Sequence, residues 1–295
     1  MSQPGGRAMD QRVIDLYDEY THVHLDRRLF LDRLARLTGG AAAAMALLPL
    51  LEARNAVAQV AEGDPGLHTE TTGFAAPTGQ ITGYLARPRP SGPPLPGVVV
   101  IHENRGLTPY IRDVARRLAT SGYVAFAPDL LSPMGGTPAD PDIARDMIGK
   151  LDRSETVANA RAAVEWLRGR DDTTRRAGMV GFCWGGGLIG QVAAAAPDLD
   201  AAVVFYGAPP EPAKAAAIKA PLLLHYAGLD ERINAQVPAF REALDKTGVT
   251  YELHMYEGAN HAFHNDGSPA RYHPEAARLA WQRTLAFFER TLRQG

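Results

Sequence analysis

From about residue 66 onward, short continuous apolar runs alternate with segments that are apolar on one face only. Residues 98–102 are apolar without a break up to His102, as a strand buried on both faces requires. Residues 110–121 place Ile111, Val114, Ala115 and Leu118 on one side of a helix. A strand over 123–127 and a helix over 158–168 follow, the latter with Ala162, Ala163, Trp166 and Leu167 inward. A strand over 177–180 runs into a small-residue helix over 187–196, and further strands are predicted at 201–206, 221–227 and 250–256. Helices over 236–246 and 274–292 complete the series, while 69–73 and 81–86 form an opening hairpin around Pro77-Thr78-Gly79. A proline-rich loop spans 88–94. This alternation predicts an α/β architecture, a mostly parallel central sheet with helices on both faces. Residues 132–150, with Gly135, Gly136, Pro138 and Pro141, are the least regular stretch and are placed over the site.

The first 58 residues follow a different pattern. Asp26-Arg27-Arg28-Leu29-Phe30-Leu31 carries an arginine pair, residues 37–51 are apolar and Ala-rich, and Ala56-Val57-Ala58 is a small-x-small sequence. That order predicts a twin-arginine-type export signal over 1–58, cleaved after Ala58, with a domain at 59–295 and a periplasmic or exported location. The apolar run is too short for a stable membrane span. Asp10, Asp15, Asp18, Glu19 and Asp26 make the segment less than net positive. The alternative is a cytoplasmic protein whose N-terminal amphipathic helix docks on the domain or on a partner.

With 295 residues, 45% of them hydrophobic, the chain can bury one sizeable α/β core beside an N-terminal extension. A formal net charge of -2 gives no basis for nucleic-acid binding. The single cysteine excludes an internal disulfide and a multi-cysteine metal site. His102, His225, His254, His261, His264 and His273 lack a metal-ligand spacing, so neither a metal nor a cofactor is expected.

That cysteine, Cys183, lies in Gly181-Phe182-Cys183-Trp184-Gly185-Gly186, between a strand and a helix. The arrangement is a G-x-nucleophile-x-G elbow with sulfur in the hydroxyl position. Asp230 follows the strand at 221–227, and His261 follows the strand at 250–256. Nucleophile, acid and His in that order, each just past a strand end, predict the triad Cys183, Asp230 and His261. The imidazole would take the thiol proton and the carboxylate would orient the imidazole. The Trp184 N–H is one oxyanion-hole donor by elbow geometry.

The chain resembles the dienelactone hydrolase family of α/β-hydrolases. The resemblance rests on Ile101-His102-Glu103-Asn104-Arg105-Gly106, Ala127-Pro128-Asp129-Leu130, the Cys183 elbow, the loop from Gly228 to Asp230, and Gly258-Ala259-Asn260-His261-Ala262-Phe263. It implies the α/β-hydrolase fold and cleavage of a carboxylic ester or lactone (carboxymethylenebutenolidase-type) through a thioester. It also implies Asn104 as the second oxyanion donor and Glu103 as a carboxylate that contacts the resting thiol. Arg105, Phe263 and Tyr206 are expected to contact substrate. The two arginines with which family members hold a substrate carboxylate fall here at about Pro133 and Asn265, neither of them basic; Arg105 and Arg271 are candidate replacements. The expected partners are a small-molecule ester or lactone and the export machinery, and the expected assembly is a monomer or small homo-oligomer. An acyltransferase or thioester-handling enzyme on the same fold, and a non-catalytic exported binding domain, are the alternatives.

Overall fold

The computed structural model describes residues 9–23, 25–52, 58–90 and 92–294. Its N-terminal part is helical: α1 (Gln11–His22), α2 (Arg27–Thr38) and α3 (Ala41–Leu51). The rest of the chain is built on an 8-stranded sheet in the order β1-β2-β4-β3-β5-β6-β7-β8. The strands are β1 (Leu67–Ala76), β2 (Gly79–Pro88), β3 (Leu95–Ile101), β4 (Val124–Pro128), β5 (Thr173–Phe182), β6 (Ala201–Phe205), β7 (Leu222–Ala227) and β8 (Tyr251–Tyr256). The tight turn between β1 and β2 permits only antiparallel pairing, and β2 also runs antiparallel to β4. All the other pairs are parallel. Parallel neighbours need crossovers, which α4 (Pro109–Thr120), α5 (Pro141–Ile148), α6 (Arg153–Arg168), α7 (Trp184–Ala195), α8 (Glu231–Asn234) and α9 (Val237–Asp245) largely provide. The last helix, α10 (Pro274–Phe288), packs on the face that also holds α4.

The continuous apolar run in β3 is explained by two cores. Val98 and Val100 face one core with Ile111, Leu118, Phe182 and Phe288, while Val99 and Ile101 face the other with Leu167, Met179, Ile189 and Phe240. Successive side chains on a strand point to opposite faces, so a strand covered on both sides has no polar position to spare.

Several elements differ from the sequence reading, two of them for clear local reasons. The irregular stretch 132–150 contains α5, because Asp140 caps its first turn (Asp142 N–H to Asp140 Oδ1, 2.8 Å) and Pro141 starts rather than breaks the helix. Helix α6 begins at Arg153 instead of 158, where the Asp152 carboxylate accepts the Glu155 N–H at 2.9 Å.

The N-terminal helices enclose a core of their own, in which Val13, Leu16, Tyr17, Tyr20, Phe30, Leu34, Leu48 and Leu51 are buried. The acidic residues that sit awkwardly in an export signal have structural uses. Asp10 caps α1 and Asp26 caps α2, while Asp18 pairs with Arg271 of the sheet-bearing part at 3.1 Å. Further ties are Ala270 N–H to the Leu50 carbonyl (3.1 Å), Ser268 Oγ–H to the Leu51 carbonyl (2.9 Å) and Arg145 Nη1–H to the Tyr20 carbonyl (3.1 Å). Arg27, of the arginine pair, makes an ion pair with Asp142. Among the described residues no single helix is long and apolar enough to cross a membrane; α2 and α3 pass such a test only as a pair bent by 109°. Of the small-x-small sequence, Ala56 and Val57 lie outside the described residues.

Candidate active site

Four parallel strands bring the site together at their C-terminal ends. Cys183 directly follows β5, Asp230 follows β7, His261 follows β8, and Glu103 lies two residues past β3. The turn at Cys183 is held in a strained conformation, φ 54° and ψ -117°. Its flanking glycines are sterically obligatory. A Cβ on Gly181 would stand 2.5 Å from the Gly185 carbonyl oxygen, and one on Gly185 would stand 2.4 Å from that of His102. Both contacts are with backbone, so neither can be relieved by a rotamer change.

The loops carrying Asp230 and His261 are bonded to each other, Gly228 N–H to the Tyr256 carbonyl at 2.8 Å and Leu229 N–H to the Ala259 carbonyl at 3.0 Å. His261 Nδ1 donates to Asp230 Oδ2 at 2.5 Å, and Asp230 Oδ1 accepts the Ile233 N–H at 3.2 Å. Both carboxylate oxygens are therefore engaged and the imidazole is fixed. His261 Nε2 is buried without a hydrogen-bond partner, and one ring nitrogen of His261 lies within 4.8 Å of Cys183 Sγ. Burial works against a charge on His261, but the Cys183 sulfur and the Asp230 carboxylate outweigh it and push the imidazole up to about 10. The Asp230 carboxyl is itself opposed by burial yet held below the ordinary range by its bond to His261.

Glu103 is buried, with Oε2 accepting from Asn265 Nδ2 at 2.7 Å and Oε1 unpartnered. Burial pushes its carboxyl up, against the pull of Arg271 and Asn265. It does not pair with Arg105, which binds Asp142 Oδ1 at 3.0 Å and the Pro141 carbonyl at 2.6 Å. Asn265 is oriented by its own Oδ1, which accepts the Gly267 N–H at 3.0 Å.

The thiol borders two spaces. An inner cavity of about 80 Å³ is lined by Tyr17, Glu103, Arg105, Asn265 and Arg271, among others. An outer cleft of about 1070 Å³ is lined by Trp184, Leu188, Tyr206, Pro209 and Ile233, among others. Thr21 and His22, at the end of α1, border both. The Trp184 ring stacks on His102 at 5.3 Å, and Tyr206 packs on His261 at 5.1 Å. Phe263, expected at the substrate, is instead fully buried between Tyr206 and Tyr256 and lines neither space. A loop aromatic can point to the core or to the cleft, and at this position the apolar contacts of the core win. The Asn104 side chain, next to the expected oxyanion donor, donates to the Thr21 carbonyl at 2.9 Å.

The dienelactone hydrolase family model matches residues 81–292, most of the chain. The chain belongs to the dienelactone hydrolase family. With that membership it is a hydrolase of the ester and lactone type. A protein of Escherichia coli O157:H7 assigned as a carboxymethylenebutenolidase is 36% identical over 221 residues, 70% of this chain and 81% of that one. A relative from Saccharolobus solfataricus with the same assignment is 34% identical over 249 residues, covering 72% of this chain and 94% of its own. A solved structure assigned as a dienelactone hydrolase, from Klebsiella pneumoniae, superposes with a TM-score of 0.68 at 33% identity, over 75% of this chain and 98% of that one. The family match leaves out the N-terminal helices; a separate model, YqhI-like, matches residues 1–41.

His22, Thr21 and Asp18 are residues of this site that the sequence did not point to. His22 Nε2 stands 3.2 Å from Cys183 Sγ, although 161 positions separate the two residues. No local pattern in α1 marks that contact.

Proposed function

We propose that this member of the dienelactone hydrolase family cleaves esters or lactones with Cys183 as nucleophile. His261 takes the thiol proton, Asp230 holds the imidazole, and the Trp184 and Asn104 backbone N–H groups receive the developing oxyanion. The thiolate adds to the carbonyl carbon, the tetrahedral adduct collapses to a thioester with loss of the alcohol or enol, and water activated by His261 releases the acid. The observation that carries this reading is the fixed His261–Asp230 pair, with Nε2 unpartnered and the ring within 4.8 Å of the sulfur of a cysteine held at φ 54°.

The substrate class follows from what surrounds the thiol. The two arginines of the inner cavity are already engaged, Arg105 with Asp142, which also pairs with Arg27 and Arg145, and Arg271 with Asp18. Asn265, where an arginine is expected by resemblance, is bonded to Glu103, and Pro133 is exposed. A carboxylated substrate would have to break an existing ion pair to gain a bidentate partner. The favoured substrate is therefore an uncharged ester or lactone. Kinetics with an aryl acetate and with a carboxylated dienelactone should give the higher kcat/KM to the neutral ester; a strong preference for the dienelactone would refute this assignment.

For the N-terminal segment, we infer that it stays with the enzyme. Supporting this are its own buried core, its capped helices and its ion pair and hydrogen bonds to the catalytic part. N-terminal sequencing of the protein from its native cells distinguishes the readings. Retention of residues 1–58 is expected, whereas a start at Gln59 would support export and cleavage.

A further inference from the structure

Hydrolysis needs one imidazole at Cys183, and the structure supplies two. His22 directs Nε2 at Cys183 Sγ, and its ring meets that of His261 edge-on with centroids 4.5 Å apart. One ring nitrogen of His22, Cys183 Sγ and one ring nitrogen of His261 all lie within 4.8 Å of one another. The opposite nitrogen of each ring is engaged. His261 Nδ1 donates to Asp230, and His22 Nδ1 donates to the Asp18 carbonyl at 2.9 Å. A carbonyl can only accept, so the His22 proton sits on Nδ1 and its Nε2 presents a lone pair to the sulfur.

The thiol has one proton to share between two nitrogens. If it bonds to His22, then His261 Nε2 stays unpartnered in a buried site. If it passes to His261, the thiolate faces the His22 lone pair at 3.2 Å. A cation among the three atoms removes the conflict. In tetrahedral zinc sites, with Zn–S near 2.3 Å and Zn–N near 2.0–2.1 Å, a nitrogen and a sulfur ligand stand roughly 3.5–3.6 Å apart. The His22–Cys183 separation, 3.2 Å, needs to open by only about 0.3 Å to match. Metal-bound histidines also donate their second N–H to a carboxylate or carbonyl, as both rings do here. Nitrogen and sulfur donors select zinc-like ions over magnesium or calcium.

We propose that His22, Cys183 and His261 form a binding site for a thiophilic divalent cation of the zinc class, which ties the N-terminal helices to the catalytic part and silences the thiol. On binding, the Cys183 S–H bond breaks, its proton leaves to solvent, and a sulfur–metal bond forms without any redox change. The inhibitory half rests on the hydrolytic reading above; the binding half does not.

The test uses the full chain, stripped of metal by a chelator and titrated with Co²⁺. The wild type should take up one Co²⁺ per chain with thiolate-to-cobalt charge-transfer absorption, and Zn²⁺ should displace it. Cys183→Ser should lose that absorption. His22→Ala, and His22→Gln as a variant that keeps the size and polarity of the side chain, should bind at least about tenfold more weakly. Wild-type affinity in both His22 variants, or no charge-transfer absorption in the wild type, would overturn the proposal. Ester hydrolysis by the metal-free wild type and by Cys183→Ala separates the two claims. Activity that persists in Cys183→Ala, beside an intact cobalt signal in the wild type, would sink the hydrolytic reading and the inhibitory half but leave the metal site standing.

Discussion

Cys183→Ala should lower kcat for ester hydrolysis by about 10⁴-fold or more, because knocking out a nucleophile removes the covalent route and leaves only what binding and the oxyanion donors supply. The substitution barely disturbs the fold. Alanine fits the space of the sulfur, and the elbow is held by backbone bonds, Cys183 N–H to the Phe205 carbonyl at 3.0 Å and Gly187 N–H to the Cys183 carbonyl at 3.1 Å. Cys183→Ser is expected to retain little activity as well. A serine hydroxyl is far harder to deprotonate than a thiol, and buried Glu103 in the same cavity disfavours a second negative charge. Steady-state kinetics under metal-free conditions measure both variants; near-wild-type turnover in Cys183→Ala would remove the thiol from the mechanism, and in Cys183→Ser would count against a site tuned for sulfur.

Asp230→Asn should cost about 10⁴-fold in kcat, with a much smaller effect on KM. The amide retains an oxygen that can accept the Ile233 N–H, so the start of α8 is preserved. What it loses is the acceptor for His261 Nδ1–H. An Asn NH₂ facing Nδ1 turns that nitrogen into an acceptor and moves the ring proton to Nε2, where it can no longer take the thiol proton. The substitution also has a signature in stability. The Asp230 carboxyl is held below its unfolded value, so its contribution is present above the ordinary Asp range and is lost as pH falls through the folded value. Wild-type stability should therefore fall more steeply on the acid side than that of Asp230→Asn, measured by denaturation at stepped pH. A loss confined to KM would show that Asp230 contacts substrate rather than orienting His261.

The parts of the site that were legible in the sequence are those built from local geometry. Gly181 and Gly185 flank Cys183 because backbone passes within 2.5 Å of where their Cβ atoms would lie, and such a constraint leaves a readable spacing. The strand-end positions of Asp230 and His261 follow from the alternation of buried strands and one-sided helices, and the sheet bears that alternation out. Three features were not legible. Phe263 is a core residue because of what β8 and Tyr206 place around it, which an aromatic letter in a loop does not reveal. The 132–150 stretch hides a helix because proline marks helix starts as well as breaks. The contacts of Asp18 and His22 join stretches more than 150 residues apart, and an arginine pair before an apolar run has the same local composition whether it is exported or folded against a domain.

The most direct test of the hydrolytic account is rapid acid quenching of metal-free enzyme during turnover of an aryl acetate, followed by peptide mass spectrometry. The account predicts an acetyl group on the peptide that carries Cys183, accumulating in wild type and absent in Cys183→Ala. Turnover with no acyl group on Cys183, or with the acyl group on another residue, would contradict it.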